Sequence, residues 1–242
     1  MKSDEDQEMI IEILEKGRIE MEGLVPWGSN YTFLVQVVDT SKKVDAIYKP
    51  SQGERPLWDF ARGSLGLRER AAFLVCELLG WQFVPPTVLR DGPHGYGSVQ
   101  FFVEHDPKKH YLVLEGKYRD QTRQIALFDI IINNADRKSG HVLLGDKEQL
   151  WAIDHGICFH SEYKLRSVIW DYAGEPIPEY LLADLEVLKN RLCYGDEPAR
   201  IELEELLSDR ELTALHNRLN GLLEEVVFPK PGPGRHYPWP LV

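Results

Sequence analysis

Apolar positions along the first hundred residues recur in two rhythms. Met9–Gly17 (MIIEILEKG) has helical spacing that ends in a Gly stop. Tyr31–Val38 (YTFLVQVV) and Val44–Pro50 (VDAIYKP) are β-branched and aromatic runs separated by DTSKK, the pattern of a hairpin. After the loop SQGERPLWDFARGS, the run Leu67–Gly80 (LRERAAFLVCELLG) predicts a helix. PTVLRD and GSVQFFVE, joined by the turn-rich GPHGYG, predict a second hairpin. From about Asp120 the rhythm changes. QTRQIALFDIIINN is helical, and VLL and LWAID are short strands. IPEYLLADLEVLKNRL and SDRELTALHNRLNGLLEEV are amphipathic helices. Strands first and helices afterwards predict an α+β protein of two lobes. A strand-rich N-lobe would cover residues 1–104 and a helix-rich C-lobe residues 105–242, with a cleft between Glu104 and the helix starting near Asp120. The closing FPKPGPGRHYPWPLV is Pro-rich, either disordered or docked on the body through Trp239.

Composition narrows the class. With 242 residues, 43% hydrophobic and 28% charged, the chain is an ordinary globular protein long enough for a real core. Its net charge of −11 is spread out, which argues against a nucleic-acid partner because phosphate backbones need clustered Lys and Arg. Local basic pockets for a small phosphate compound remain compatible. Cys76, Cys158 and Cys193 are scattered, as expected in a reducing compartment. The opening MKSDEDQEMI is too acidic for a signal peptide, and no apolar run approaches the ~18 residues of a membrane span. The expectation is a cytoplasmic protein without integral membrane association.

Four chemistry-bearing residues then fall in a telling order. Lys49 ends an apolar strand, and Glu69 opens the helix that follows. Asp136 lies in NNADRKSGH just past an apolar helix, and Asp154 in WAIDHGICF just past an apolar strand. Each alone has an ordinary structural explanation: a solvated strand end, a carboxylate near a helix N-terminus, a helix-ending turn, a strand-ending turn. Together they are the parts of phosphoryl transfer: a cation for the phosphates, an anion to hold it, a base for the acceptor hydroxyl and an acidic metal ligand. Helical spacing puts Arg68 and Arg70 about 100° to either side of Glu69, so Glu69 is expected to turn inward and pair with Lys49 while the arginines face solvent. Competing signatures are missing: no G-x-x-x-x-G-K-[ST], no G-x-S-x-G and no H-E-x-x-H. His141, His155 and His160 cluster without the Cys or acidic pattern of a zinc site, and Trp170 before Asp171 is read as a buried Trp.

IINNADRKSGHVLL followed by LWAIDHGICF resembles the catalytic core of the phosphatidylinositol 3/4-kinase superfamily, most closely the type II phosphatidylinositol 4-kinases. The chain is also similar to a compact bacterial group of such kinase-like proteins, from about Gly23 to Leu181, including VPWGSNYTFLV, LWDF, VPPTVLRDGP and GSVQ. The resemblance implies a two-lobed kinase-like fold and transfer of the ATP γ-phosphate to a hydroxyl of a lipid headgroup, small molecule or protein, with Mg2+ or Mn2+. Lipid sits least well with an acidic chain, which anionic membranes repel. The resemblance further implies Lys49 on the phosphates with Glu69 as its partner, Asp136 as catalytic base with Arg137 beside it to neutralise charge, and Asp154 as metal ligand. Gln100–Glu104, including Phe102, would be the linker that receives adenine. Gly28, Ser29 and Asn30 would cover the phosphates as a main-chain anion nest.

One position departs from the pattern. The family's Asn, five residues after the Asp, is here His141, expected on the next strand. Imidazole suits zinc or manganese better than magnesium, so the alternatives are that one metal suffices, that Asn133 or Asn134 substitutes, or that activity is reduced, with His141 itself either a metal ligand or a structural histidine. A nucleotide-binding pseudokinase acting as a regulatory partner, and nucleotidyl transfer on the same fold, are the competing functions.

Overall fold

A computed structural model of the chain describes residues 4–24, 31–40, 42–114 and 116–242. They form two compact units, residues 1–73 with 85–103, and residues 74–84 with 104–242. The expected phosphate-covering residues Ser29 and Asn30 lie outside the described residues.

The first unit is an antiparallel sheet of β1 (Arg18–Leu24), β2 (Phe33–Asp39), β3 (Lys42–Pro50), β4 (Thr87–Gly92) and β5 (Gly95–Phe101), in the order β1-β2-β3-β5-β4. Helix α1 (Asp4–Lys16) lays Ile10, Ile13 and Leu14 on it, one face of a helix by their i, i+3, i+4 spacing. Val35, Val37, Ala46, Tyr48, Val88 and Val99 receive them. The carbonyls at the end of α1 have no helical partners, and Arg90 of β4 supplies one: Nη1 donates to Leu14 O and Gly17 O, each at 2.8 Å. β1 was not expected, because RIEMEGL carries charge along an edge strand whose residues are mostly exposed.

Helix α2 (Leu65–Leu78) begins earlier than its periodicity suggested. The carboxylate at its N-terminus is Glu54, whose Oε1 accepts from Leu65 N at 3.0 Å and Gly66 N at 3.1 Å; Glu69 sits a turn further in. The expectation that Arg68 and Arg70 face solvent is corrected. Arg68 is buried with its guanidinium 4.8 Å from the Phe60 ring centre, and Arg70 Nη1 donates to Thr87 O at 2.6 Å. The N-terminal half of α2 is covered all round, so even its arginines have partners inside.

Leu74–Val84, read as part of the first lobe, belongs instead to the second unit. Trp81 Nε1 donates to Asp184 at 2.9 Å, Arg191 Nη1 caps Leu78 O at 2.8 Å, and Trp81, Phe83 and Phe128 pack ring against ring. α3 (Arg119–Ile131) runs through this core with Ile125, Leu127, Phe128 and Ile131 buried. The hairpin β6 (Val142–Leu144) and β7 (Leu150–Ala152) follows. α4 (Glu179–Tyr194) buries Leu181, Leu185, Leu188 and Leu192, and α6 (Asp209–Glu225) buries Leu215, Leu219 and Leu222. α6 opens on a capping box between Ser208 and Glu211. Between them lies the short α5 (Pro198–Leu206), a helix the sequence reading passed over. Among the described residues, no helix is long and apolar enough to cross a membrane.

Candidate active site

In the first unit, β3 delivers Lys49 and α2 delivers Glu69, and Lys49 Nζ meets Glu69 Oε1 in a hydrogen-bonded ion pair. Glu69 is almost fully buried while Lys49 keeps some exposure, so the pair presents a cation steadied from behind by a carboxylate. Gly97 makes this placement possible. It stands opposite Pro50 in the β3–β5 register, and a Cβ there would come within 2.2 Å of Lys49 O. Any side chain at Gly97 would push the strand that carries Lys49.

In the second unit the chain leaves α3 at Ile131 and enters a loop organised around a buried charge pair. Asp129 of α3 accepts from Arg137 Nε and Nη2, both at 2.9 Å, and Arg137 is fully buried. Arg137 Nη1 donates to His141 O at 3.1 Å and Ile153 O at 2.8 Å. Its Nη2 lies 2.7 Å from His155 Nε2. A guanidinium can only donate, so His155 accepts on Nε2 and its imidazole is neutral. One side chain therefore ties the helix, the loop and the segment after β7 together. Asn134 works alongside: Nδ2 donates to Asp129 Oδ1 at 2.9 Å, and its Oδ1 accepts from Asp136 N at 3.0 Å.

The Asp136 carboxylate emerges from this frame, 25% exposed, with Lys138 Nζ at 3.1 Å. Burial pushes its carboxyl above the ordinary Asp value, Lys138 opposes the rise, and the neighbouring Asp154 carboxylate adds to it. Asp154 takes a left-handed backbone (φ 61°) and has its side chain 44% exposed. Its Oδ2 is 3.3 Å from His141 Nε2. His141 Nδ1 accepts from Lys138 N at 3.4 Å, so the ring proton sits on Nε2, facing Asp154. Asp136, Asp154 and His141 are thus brought together. His141 stands in a single 3-10 turn, Ser139–His141, ahead of β6 rather than on the strand.

Three expectations change on this geometry. Arg137 does not reach a reacting group; enclosed by Asp129 and main-chain carbonyls, it holds the loop that carries Asp136. Asn133 is not turned toward a metal. Its left-handed backbone (φ 53°) aims the amide into the following loop, where Nδ2 donates to His160 O and Glu162 O and Oδ1 accepts from Lys164 N. Gln100 lies inside β5 with Nε2 on Thr87 Oγ1 at 2.8 Å, so its side chain is occupied within the sheet. Phe102 N donates to Asp45 O at 2.9 Å. Glu104 is exposed and borders a cavity of about 630 Å³, together with His105, Lys117 and Glu148.

For the metal, no group of three or more His, Cys, Asp or Glu among the described residues is set to hold one. A half-exposed Asp154 beside Asp136 nevertheless suits magnesium, which is commonly bound by one or two carboxylates plus substrate phosphates. Asp129, Lys138 and His155 were missed as site residues, and Asn134, expected as a substitute metal ligand, instead holds the loop through Asp129 and the Asp136 main chain. An Asp inside LFDII was the available signal, since a charge in an apolar helix needs a buried partner.

Residues 87–182 match the family described as "Phosphatidylinositol 3- and 4-kinase". Protein Rv2133c of Mycobacterium tuberculosis is 36% identical, over 94% of each chain. The chain belongs to the phosphatidylinositol 3/4-kinase-like group. Phosphatidylinositol 4-kinase gamma 4 of Oryza sativa subsp. japonica is 29% identical over 47% of this chain, which spans only 24% of that longer kinase. Among solved structures, the Golgi casein kinase with Mn/ADP bound superposes with a TM-score of 0.55 at 15% identity, covering 93% of this chain and 76% of that one. The Helicobacter pylori proinflammatory kinase CtkA gives 0.51 at 12% identity, covering 88% of this chain and 94% of that one. At such identities the structures establish the kinase-like fold, and the matched family makes this a kinase-family chain.

Proposed function

We propose that this kinase-like chain is an ATP-dependent phosphotransferase that passes the γ-phosphate to a hydroxyl on a lipid headgroup, small molecule or protein. The observation that carries this reading is the contrast between two pairs of side chains around the loop after α3. Asp129 and Arg137 are sealed and neutralise each other, while the neighbouring carboxylates of Asp136 and Asp154 are partly and half exposed. Only the second pair is available for chemistry. Asp136 accepts the proton of the acceptor hydroxyl, and Lys138 steadies the carboxylate before it does. Lys49, backed by Glu69, binds the phosphates. Asp154 would hold Mg2+ or Mn2+, which when bound would supply positive charge against the transferred phosphoryl group. The free thiols of the three cysteines agree with a reducing cytoplasm.

Product analysis with labelled ATP tests this: ADP and a phosphorylated acceptor are expected, and loss of nucleotide binding in Lys49→Met and Asp154→Ala. Pyrophosphate release would replace the reading with nucleotidyl transfer. His141 against Asp154 favours one second reading, a nucleotide-binding pseudokinase, which would bind ATP and release nothing.

A general base works only when ionised, so kcat/KM should fall as pH drops through the raised Asp136 pKa. Lys138→Met removes the cation that opposes the rise and is expected to move this acid limb to higher pH. An unmoved limb would assign the titration to another group.

A further inference from the structure

We propose that the Pro-rich segment His236–Leu241 is a positioning element for the catalytic loop, acting through its main chain; this rests on the assignment of Asp136 as the base. Ser139 is fully buried, and its N–H donates to Leu241 O at 2.7 Å. His236 O accepts twice, from Ser167 N at 3.1 Å and from Trp170 Nε1 at 3.0 Å, with the two rings edge to face. Ser167 is the residue bridged to Arg137, since Arg137 N donates to Arg166 O and Val168 N to Arg137 O. The segment therefore grips the loop on both sides of Lys138, directly at Ser139 and through residues 166–168 at Arg137. Asp136 lies next to the second grip and His141 two residues beyond the first.

Apart from the His236 ring against Trp170, the contact is main-chain in kind. Trp239, the residue expected to dock the segment, is 78% exposed, and Tyr237 and Leu241 are exposed as well. Pro238 is buried, and the ring-fixed φ angles of Pro238 and Pro240 limit the conformations of the chain between the two grips. A buried N–H has to find an acceptor, so the Ser139–Leu241 bond sets where the loop can rest.

Comparison of Ser139→Pro with Ser139→Ala tests that contact, because the proline Cδ takes the amide hydrogen's place and displaces Leu241 O. Both variants lose the hydroxyl that meets His110 and Leu112, but only proline loses the N–H. Lys138 is already extended (ψ 162°) and Ser139 starts a 3-10 turn, a backbone that accepts proline. Ser139→Pro is expected to have kcat roughly tenfold below Ser139→Ala, with KM for ATP shifted less than about twofold, as for one lost hydrogen bond felt at the base. Deleting Trp239–Val242 should lower kcat similarly in the parent and have no further effect on Ser139→Pro, while Trp239→Ala stays near the parent. A merely structural role would lower melting temperature and leave kcat per folded molecule unchanged. Hydrogen exchange of the 136–141 amides, expected to quicken on deletion, decides the matter without phosphotransfer. If the full chain transfers no phosphate the kinase reading fails, and exchange alone judges the strap. Equal kcat for the two Ser139 variants, or unchanged exchange on deletion, overturns it.

Discussion

Asp136→Asn is expected to fold normally and to lose roughly 10²–10⁴ in kcat, the contribution of a positioned general base. The fold should tolerate the change because the Asp136 main chain, not its carboxylate, is what Asn134 holds. A carboxyl whose pKa is raised by burial contributes stability only while protonated, below its unfolded value, and that contribution is lost as pH rises through the folded pKa. At neutral pH an amide therefore removes a small strain. The expected signature is an unchanged or slightly higher melting temperature with little turnover. Wild-type kcat in this variant would remove Asp136 from the chemistry.

Asp129→Ala should show the opposite signature, a large loss of stability. It leaves Arg137 fully buried with its main counter-ion gone, a change that costs about 3–5 kcal/mol. For a chain of this size that is roughly 6–20 °C in melting temperature. Pairing Asp129→Leu with Arg137→Met removes both charges, and much of the stability should return. Activity should not return, because His141 O and Ile153 O would have lost the donor that draws them together. Thermal melts that find Asp129→Ala within 1 °C of the parent would contradict the role given to the pair.

The periodic elements were legible in the sequence because their period reports a single buried face. α1, α4, α6 and the β2–β3 hairpin have that property, while α2, covered on every side, was legible from its long apolar run instead. β1 barely does, since its apolar side is only Ile19 and Met21 on a mostly exposed edge strand, and α5 with its Pro start and acidic run does not. At the site, the order Lys49, Glu69, Asp136, Asp154 could be seen because spacing along the chain carries it. What each neighbour does could not. Whether Arg137 faces a substrate or a wall depends on Asp129, eight residues back on a helix. Whether Asn133 can reach a metal depends on a left-handed backbone that aims it at Lys164. The same limit hid the inward turn of Arg68, which depends on Phe60 across a loop.

The clamp of Arg90 on the end of α1 has a consequence for the order in which the nascent chain can mature. Gly17 O and Arg90 are 73 residues apart, and Ile10, Ile13 and Leu14 are covered only by strands translated after them. At synthesis rates of about 5–20 residues per second, that separation is roughly 4–15 s of ribosome time. Through that interval the helix carries an apolar stripe with no sheet beneath it and carbonyls with no cap. A ribosome stalled before residue 90 should thus hold α1 accessible to protease and to trigger-type chaperones, and one stalled well beyond β5 should protect it.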